Sequence, residues 1–177
     1  MTYTVPIFNT ENKLGVDLAT SGVQTITTST PEYPGPNITI GTQTEISKNG
    51  IVLYCTAASA ITQYDAVLVS TAFSATSLTN AVAATASIGG IVGVATQTLT
   101  TGQYGWIQTG GITTINITAP ATAYAQLHSN AATGTLSVLA TGASYKINGV
   151  VITTTVATGT TTGNAILASP VLVSTAD

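Results

Sequence analysis

An all-β chain, folded as a small barrel or sandwich behind an extended N-terminal arm, is what this sequence leads us to expect. Three observations point there. About a fifth of the 177 residues are threonine, and valine, isoleucine and alanine supply much of the rest. Thr, Val and Ile are stiff at χ1 and pack well on a pleated surface. Charged helix formers are nearly missing, with charged residues at 5% of the chain and no arginine, against about 25% in ordinary soluble domains. Finally, short apolar runs alternate with glycine- and asparagine-bearing turns, the spacing of a sandwich or barrel.

The runs can be placed in order. Residues 1–48 read as an arm and linker. Tyr3 to Phe8 is a possible strand, with Pro6 arguing for an edge, and Val23 to Thr28 is a second. Pro31, Pro34 and Pro36 break ladders and stiffen the chain around Tyr33, and Ile38 to Ile46 is able to pair again. Residues 49–177 form the β-domain. Its expected strands are Ile51 to Cys55, Ala66 to Val69, Ile91 to Ala95, Tyr104 to Gln108, Ile112 to Ile117, Tyr124 to His128, Thr135 to Leu139, Val150 to Val156 and Ala165 to Val173. Gly110-Gly111 is expected to separate two of them, and Asn148-Gly149 to form a type I′ hairpin turn. One short helix is expected at Ala81 to Ala86 or at Ala119 to Ala125. Thr153 to Gly163 is low in complexity, and no fixed-period repeat stands out.

Charge bounds the function. Three lysines (Lys13, Lys48, Lys146) face six acids (Glu11, Asp17, Glu32, Glu45, Asp65, Asp177), giving a net charge of −3. The isoelectric point is near 4.7. Such a chain offers no basic patch for phosphates and no cationic face for an anionic membrane. Mean hydropathy is +0.43, yet apolar residues are interleaved with Thr and Ser, and no run approaches the roughly 20 residues of a spanning helix. The opening MTYTVPIFNTENK lacks a basic segment followed by an apolar one, which leads us to expect a cytoplasmic origin.

Chemistry-bearing residues are sparse. His128 is the single histidine and Cys55 the single cysteine, so together they fall short of a zinc ligand set. No G-x-S-x-G turn is present to build a hydrolase triad on His128. Cys55 has no basic neighbour in sequence and reads as a structural thiol. Glu11 and Asp17 are too sparse for a calcium loop, and Asp65 is the only acid between Glu45 and Asp177, which argues against a glycosidase pair. Gly89-Gly90-Ile91-Val92-Gly93 is a turn leading into a strand, not a dinucleotide fingerprint. Asn37 and Asn116 match the glycosylation pattern only because threonine is common. Trp106, Tyr104 and Tyr124 are candidates for a carbohydrate platform, although β-surface aromatics more often pack in cores or subunit contacts. The expectation is therefore no enzyme, no cofactor, no metal and no small-molecule substrate. A surface so poor in charge, with few lysines to protect its edge strands, suits a chain that assembles with copies of itself.

Ile61-Thr62-Gln63-Tyr64-Asp65-Ala66-Val67-Leu68-Val69 is similar to the G-D-x-V strand of tailed-phage capsid decoration (cement) proteins, with Tyr64 where that family usually has glycine. Gly89-Gly90-Ile91-Val92-Gly93-Val94-Ala95 resembles its G-x-x-x-G-V-A segment, and Thr101 to Gly111 its turn-strand-turn. Ala123 to Leu127, the Gly134 turn and Gly149-Val150-Val151 resemble its closing strands. The resemblance spans residues 50–173. It implies a β-tulip-like or barrel domain, assembled as a homotrimer on the outside of an icosahedral head, with the major capsid protein as partner and head stabilisation as the role. The arm residues Tyr3, Val5, Ile7, Phe8, Glu11, Lys13, Asp17, Glu32 and Tyr33 are then the candidate capsid contacts. Competing expectations are another virion protein (a fibre base or minor head protein), a bacterial surface module, and a carbohydrate-binding β-sandwich.

Overall fold

The computed structural model describes residues 39–46, 50–86, 89–139, 143–159 and 161–175. The fold is all β, apart from one short helix. In chain order the elements are β1 (Gln43–Ile46), β2 (Gly50–Ala57), β3 (Ala66–Val69), β4 (Ser74–Ser77), α1 (Asn80–Thr85), β5 (Ile91–Ala95), β6 (Tyr104–Thr118), β7 (Leu127–Ser129), β8 (Leu136–Ser137), β9 (Tyr145–Ile152) and β10 (Thr162–Thr175). All ten strands join one hydrogen-bonded sheet.

The pairings close on themselves twice. In the first ring β2 runs parallel to β4, β4 pairs with β3, β3 with β5, β5 with β6, and β6 returns to β2. In the second, β6 runs parallel to β8, β8 pairs with β7, β7 with β9, β9 with β10, and β10 returns to β6. The fifteen-residue β6 belongs to both rings, its first half to one and its second half to the other. Closing a sheet removes exposed edges, which a chain this poor in charge otherwise leaves open to mispairing.

The two rings are copies of one unit. Strand order and parallel closure match step by step, while α1 lies between β4 and β5 and has no counterpart among the described residues between β8 and β9. The Val52–Gln108, Tyr54–Trp106 and Cys55–Gly105 pairs fall on Ile112–Ile166, Thr114–Asn164 and Ile115–Gly163. An isolated antiparallel bridge precedes the hairpin strands in each copy, Ile61 with Leu99 and Ala121 with Val156. Gly102 and Gly159 occupy the same left-handed turn position. Gly105 and Gly163 are equivalent for a steric reason: a Cβ on either would collide with the bridge residue of its own ring, Leu99 or Val156. The rings thus repeat one topology without a fixed period, since Ala121 follows Ile61 by 60 residues and Gly159 follows Gly102 by 57. The legible traces of this duplication are short: Thr62-x-Tyr64 against Thr122-x-Tyr124, and Thr98-Leu99-x-Thr101-Gly102 against Thr155-Val156-x-Thr158-Gly159.

Each ring has its own core. Leu53, Cys55, Ala57, Ile61, Val67, Val69, Ala75, Ala95, Leu99 and Ile107 fill the first. Ile115, Ile117, Leu127, Leu136, Ile147, Val150, Ile152, Val156, Ala165 and Leu167 form the second, which continues onto Ala66, Val92 and Val94 of β3 and β5 and onto Leu78 and Ala83 at the helix. Thr79 caps α1, its hydroxyl accepting from the Val82 N–H at 3.1 Å. The helix lies at the first of the two alanine-rich stretches. The second instead forms a turn around a cis Ala119-Pro120 bond and the bridge residue Ala121.

Two turn expectations are corrected. Gly110-Gly111 does not separate strands, because β6 passes through it from one ring to the other while Ile51 packs against Gly110. Asn148-Gly149 is no hairpin turn, since β9 continues across it. It faces an irregularity in β10 between Leu167 and Val171. Gly149 has a φ of 82°, and a Cβ there would strike the Ala168 carbonyl oxygen. Glycine is thus needed for close approach to a bulged partner strand. The expected strand at Val23 to Thr28, and the arm residues before Thr39, lie outside the described residues; β1, at the end of the 1–48 segment, pairs with β2.

Candidate functional site

Arm residues Tyr3, Val5, Ile7, Phe8, Glu11, Lys13, Asp17, Glu32 and Tyr33 all lie outside the described residues. The remaining chemistry-bearing side chains are spread through the two rings.

Asp65 sits at the junction between rings. It is 5% exposed. Its Oδ2 accepts from the Thr62 N–H at 2.9 Å and from the Ser77 hydroxyl at 3.1 Å, and its Oδ1 accepts from the Asn116 amide at 2.9 Å. Asn116 lies on the second-ring half of β6, and its own N–H donates to the Tyr64 carbonyl. The Ala66 N–H donates to the Gly134 carbonyl, while the Gly134 N–H donates to the Leu78 carbonyl. The buried carboxylate therefore holds the turn before β3 against β6 and the β7–β8 connection. The second ring has Ala125 at the equivalent point, so this acid serves the join between units rather than the unit itself.

His128 and Cys55 are apart from each other and from Asp65's network. Cys55 is fully buried on β2 inside the first ring, and burial pushes its thiol up to about 12. A thiol held protonated has little nucleophilic character. His128, on β7, lies opposite Lys146 and Ser137 in the ladders, and its buried Nδ1 has no hydrogen-bond partner among the described residues. Burial lowers its pKa below the usual 6.5, the Lys146 charge lowers it further, and a backbone hydrogen bond with Ser137 partly opposes them. A base whose folded pKa is depressed binds fewer protons folded than unfolded, so its contribution is lost as pH falls through 6.5. Wild type is expected to lose stability between about pH 7 and pH 5 relative to His128→Gln, the gap levelling off once pH lies below the folded value. Urea unfolding of both proteins across that range checks this. Among the described residues no three His, Cys, Asp or Glu side chains gather as a metal site would require.

The aromatic candidates do not form one surface. Trp106 is 2% exposed and packs on Tyr54 with ring centroids 4.9 Å apart, and Tyr104 stacks on Tyr54 at 6.1 Å. Val52, Tyr54 and Trp106, with Ile46 and Tyr104 against them, form a third apolar cluster on the outer face of β2 and β6. Tyr54 is pushed up to about 12 by burial first and by Tyr104 second. Tyr124 belongs to the other ring and is 76% exposed, so a sugar stacking on it would not reach Trp106. Tyr64 and Tyr124 occupy equivalent positions, with φ of 71° and 62°. This is a left-handed conformation that a bulky side chain adopts only under constraint.

Two surface features remain. An open groove of about 520 Å³ is lined by Asn116, Thr118, Thr135 and Thr161 among others, with no titratable group. On the outer face of the second ring, Ile112, Ile166 and Val151 stand side by side on β6, β10 and β9, paired directly across the ladders. They are 57%, 44% and 39% exposed. No sequence signal marked this row, because each member reads as an ordinary strand residue. Among the described residues no helix is long and apolar enough to cross a membrane.

No family model matches the chain, and no curated protein is significantly similar to it.

Proposed function

We propose that this chain is a structural virion protein, a capsid decoration protein that binds the outside of an icosahedral phage head as a homotrimer and stabilises it. One observation carries the reading. The three segments that resemble decoration proteins, 61–69, 89–95 and 101–111, are consecutive parts of a single closed ring. They supply its bridge residue and β3, then β5, then the first half of β6. The departure at Tyr64, where that family has glycine, falls on a residue with φ of 71°, a conformation glycine adopts at no steric cost. At this position the resemblance rests on a backbone requirement.

In this reading each trimer bridges several capsid subunits, and simultaneous contacts resist the pressure of packaged DNA. The arm, which holds Glu11, Lys13, Asp17 and Glu32, reaches over neighbouring capsid subunits, while the charge-poor rings pack within the trimer. The test is co-sedimentation of the purified protein with heads, lacking decoration, of the phage that encodes it. Saturable binding that raises the temperature at which the heads release DNA is the expected result. Absence of binding to such heads contradicts the proposal. Binding that survives deletion of residues 1–36 removes the arm, but not the rings, from the contact.

A further inference from the structure

We infer that the outer face of the second ring, centred on Ile112, Ile166 and Val151, is an interface between copies of this chain. The inference deepens the decoration reading and rests on it for the expectation of self-association.

The duplication says what this face lacks. In the first ring the equivalent positions to Ile112 and Ile166 are Val52 and Gln108, and the next pair outward is Tyr54 and Trp106. All four are buried. Ile46, from the chain just before β2, packs on that cluster, and β1 pairs along the start of β2. The second ring has no counterpart to β1 among the described residues, because β6 enters it directly from the first ring. The same face, built from the same pairs, is thus covered in one ring and open in the other. What lies open is apolar: three branched side chains side by side across three strands, flanked by Thr114 and Asn164. Scattered apolar residues are ordinary on protein surfaces, but a contiguous row is not.

Charge selects the occupant. From residue 111 to 175 the only formally charged residue is Lys146. A partner bringing charges to this face would leave them desolvated without counter-charges, at a cost its apolar contacts would have to overcome. Six of the chain's nine charges lie in residues 1–48, whereas the rings beyond them hold only Asp65 and Lys146, so the ring of a second copy brings fewer charges to this face than that segment does. Three such faces, one from each copy, converge around a threefold axis, where each meets apolar, neutral neighbours.

The experiment compares the full-length protein with the double variant Ile112→Lys/Ile166→Lys, by sedimentation velocity over a range of concentrations. Both positions are exposed, so the lysines are accommodated in the folded monomer; thermal unfolding verifies this, and Thr101→Lys, on an exposed turn, controls for added charge. Self-association weakened at least about tenfold in the double variant alone is the expected result. Unchanged self-association overturns the inference, and leaves the decoration reading standing if head binding is also unchanged. A wild type that is monomeric at every concentration would also overturn it.

Discussion

Asp65→Ala is expected to destabilise the protein by about 3 kcal/mol, and to do so by loosening the two rings from each other. The substitution leaves three donors without their acceptor: the Thr62 N–H, the Ser77 hydroxyl and the Asn116 amide. Unmade hydrogen bonds at a buried site cost about 1–3 kcal/mol each, with sums that fall short of additive. The carboxylate that is lost is itself a buried group without an ion pair among the described residues, so its removal returns some desolvation energy and keeps the total near the lower end. Chemical unfolding gives the magnitude, and hydrogen exchange gives the place. Amides of Ala66, Gly134 and Asn116, which cross the junction, should lose protection before those inside either ring. A loss below about 0.5 kcal/mol would mean that backbone hydrogen bonds and apolar packing join the rings without the carboxylate.

Trp106→Ala carries the larger cost, about 4 kcal/mol, which corresponds to a fall of roughly 10 °C in melting temperature. Trp106 is almost wholly buried against Tyr54 on the outside of the first ring, and deletion of so large a side chain leaves a cavity that strands on either side cannot close. Trp106→Phe separates packing from polarity. Among the described residues the indole Nε1 has no hydrogen-bond partner, nor does the Tyr54 hydroxyl. Replacing Trp106 by Phe, or Tyr54 by Phe, removes a buried orphan donor while keeping an aromatic ring, so each is expected to cost far less than the alanine change. Tyr54→Phe should even stabilise, by about 1 kcal/mol. If Tyr54→Phe were instead as damaging as Trp106→Ala, the hydroxyl would have to be bonded in solution.

Legibility in the sequence varied from strand to strand. Ala66 to Val69 and Ile91 to Ala95 were readable as strands to the residue, because continuous apolar runs between turn signals leave few alternatives. β4 was not, since Ser-Ala-Thr-Ser carries no apolar pattern. It is a strand only because β2 and β3 offer it edges to pair with. Glycine misled twice for one reason. At Gly110-Gly111 and Gly149 it answers the close approach of another strand or side chain, a three-dimensional demand, whereas sequence reading treats it as a local turn. The duplication was hidden because its shared residues are mostly Thr and Gly in a chain full of both, and because equivalent core positions hold different apolar residues, such as Ile61 for Ala121 and Cys55 for Ile115. Volume can be redistributed within a core while its pattern is kept. Of the candidate sites, the burial of Cys55 was readable from its apolar run. Burial of Trp106 was foreshadowed only by the general habit of β-surface aromatics. The Ile112–Ile166–Val151 row became visible only once register was known.

That row and the capsid proposal meet in one image. Electron cryomicroscopy of undecorated heads incubated with the full 177-residue chain tests the account where it is most exposed. The account predicts added density on the outer surface at threefold or quasi-threefold positions, each feature holding three copies of the double-ringed domain. Heads that show no added density, or density from single copies away from those axes, would contradict it.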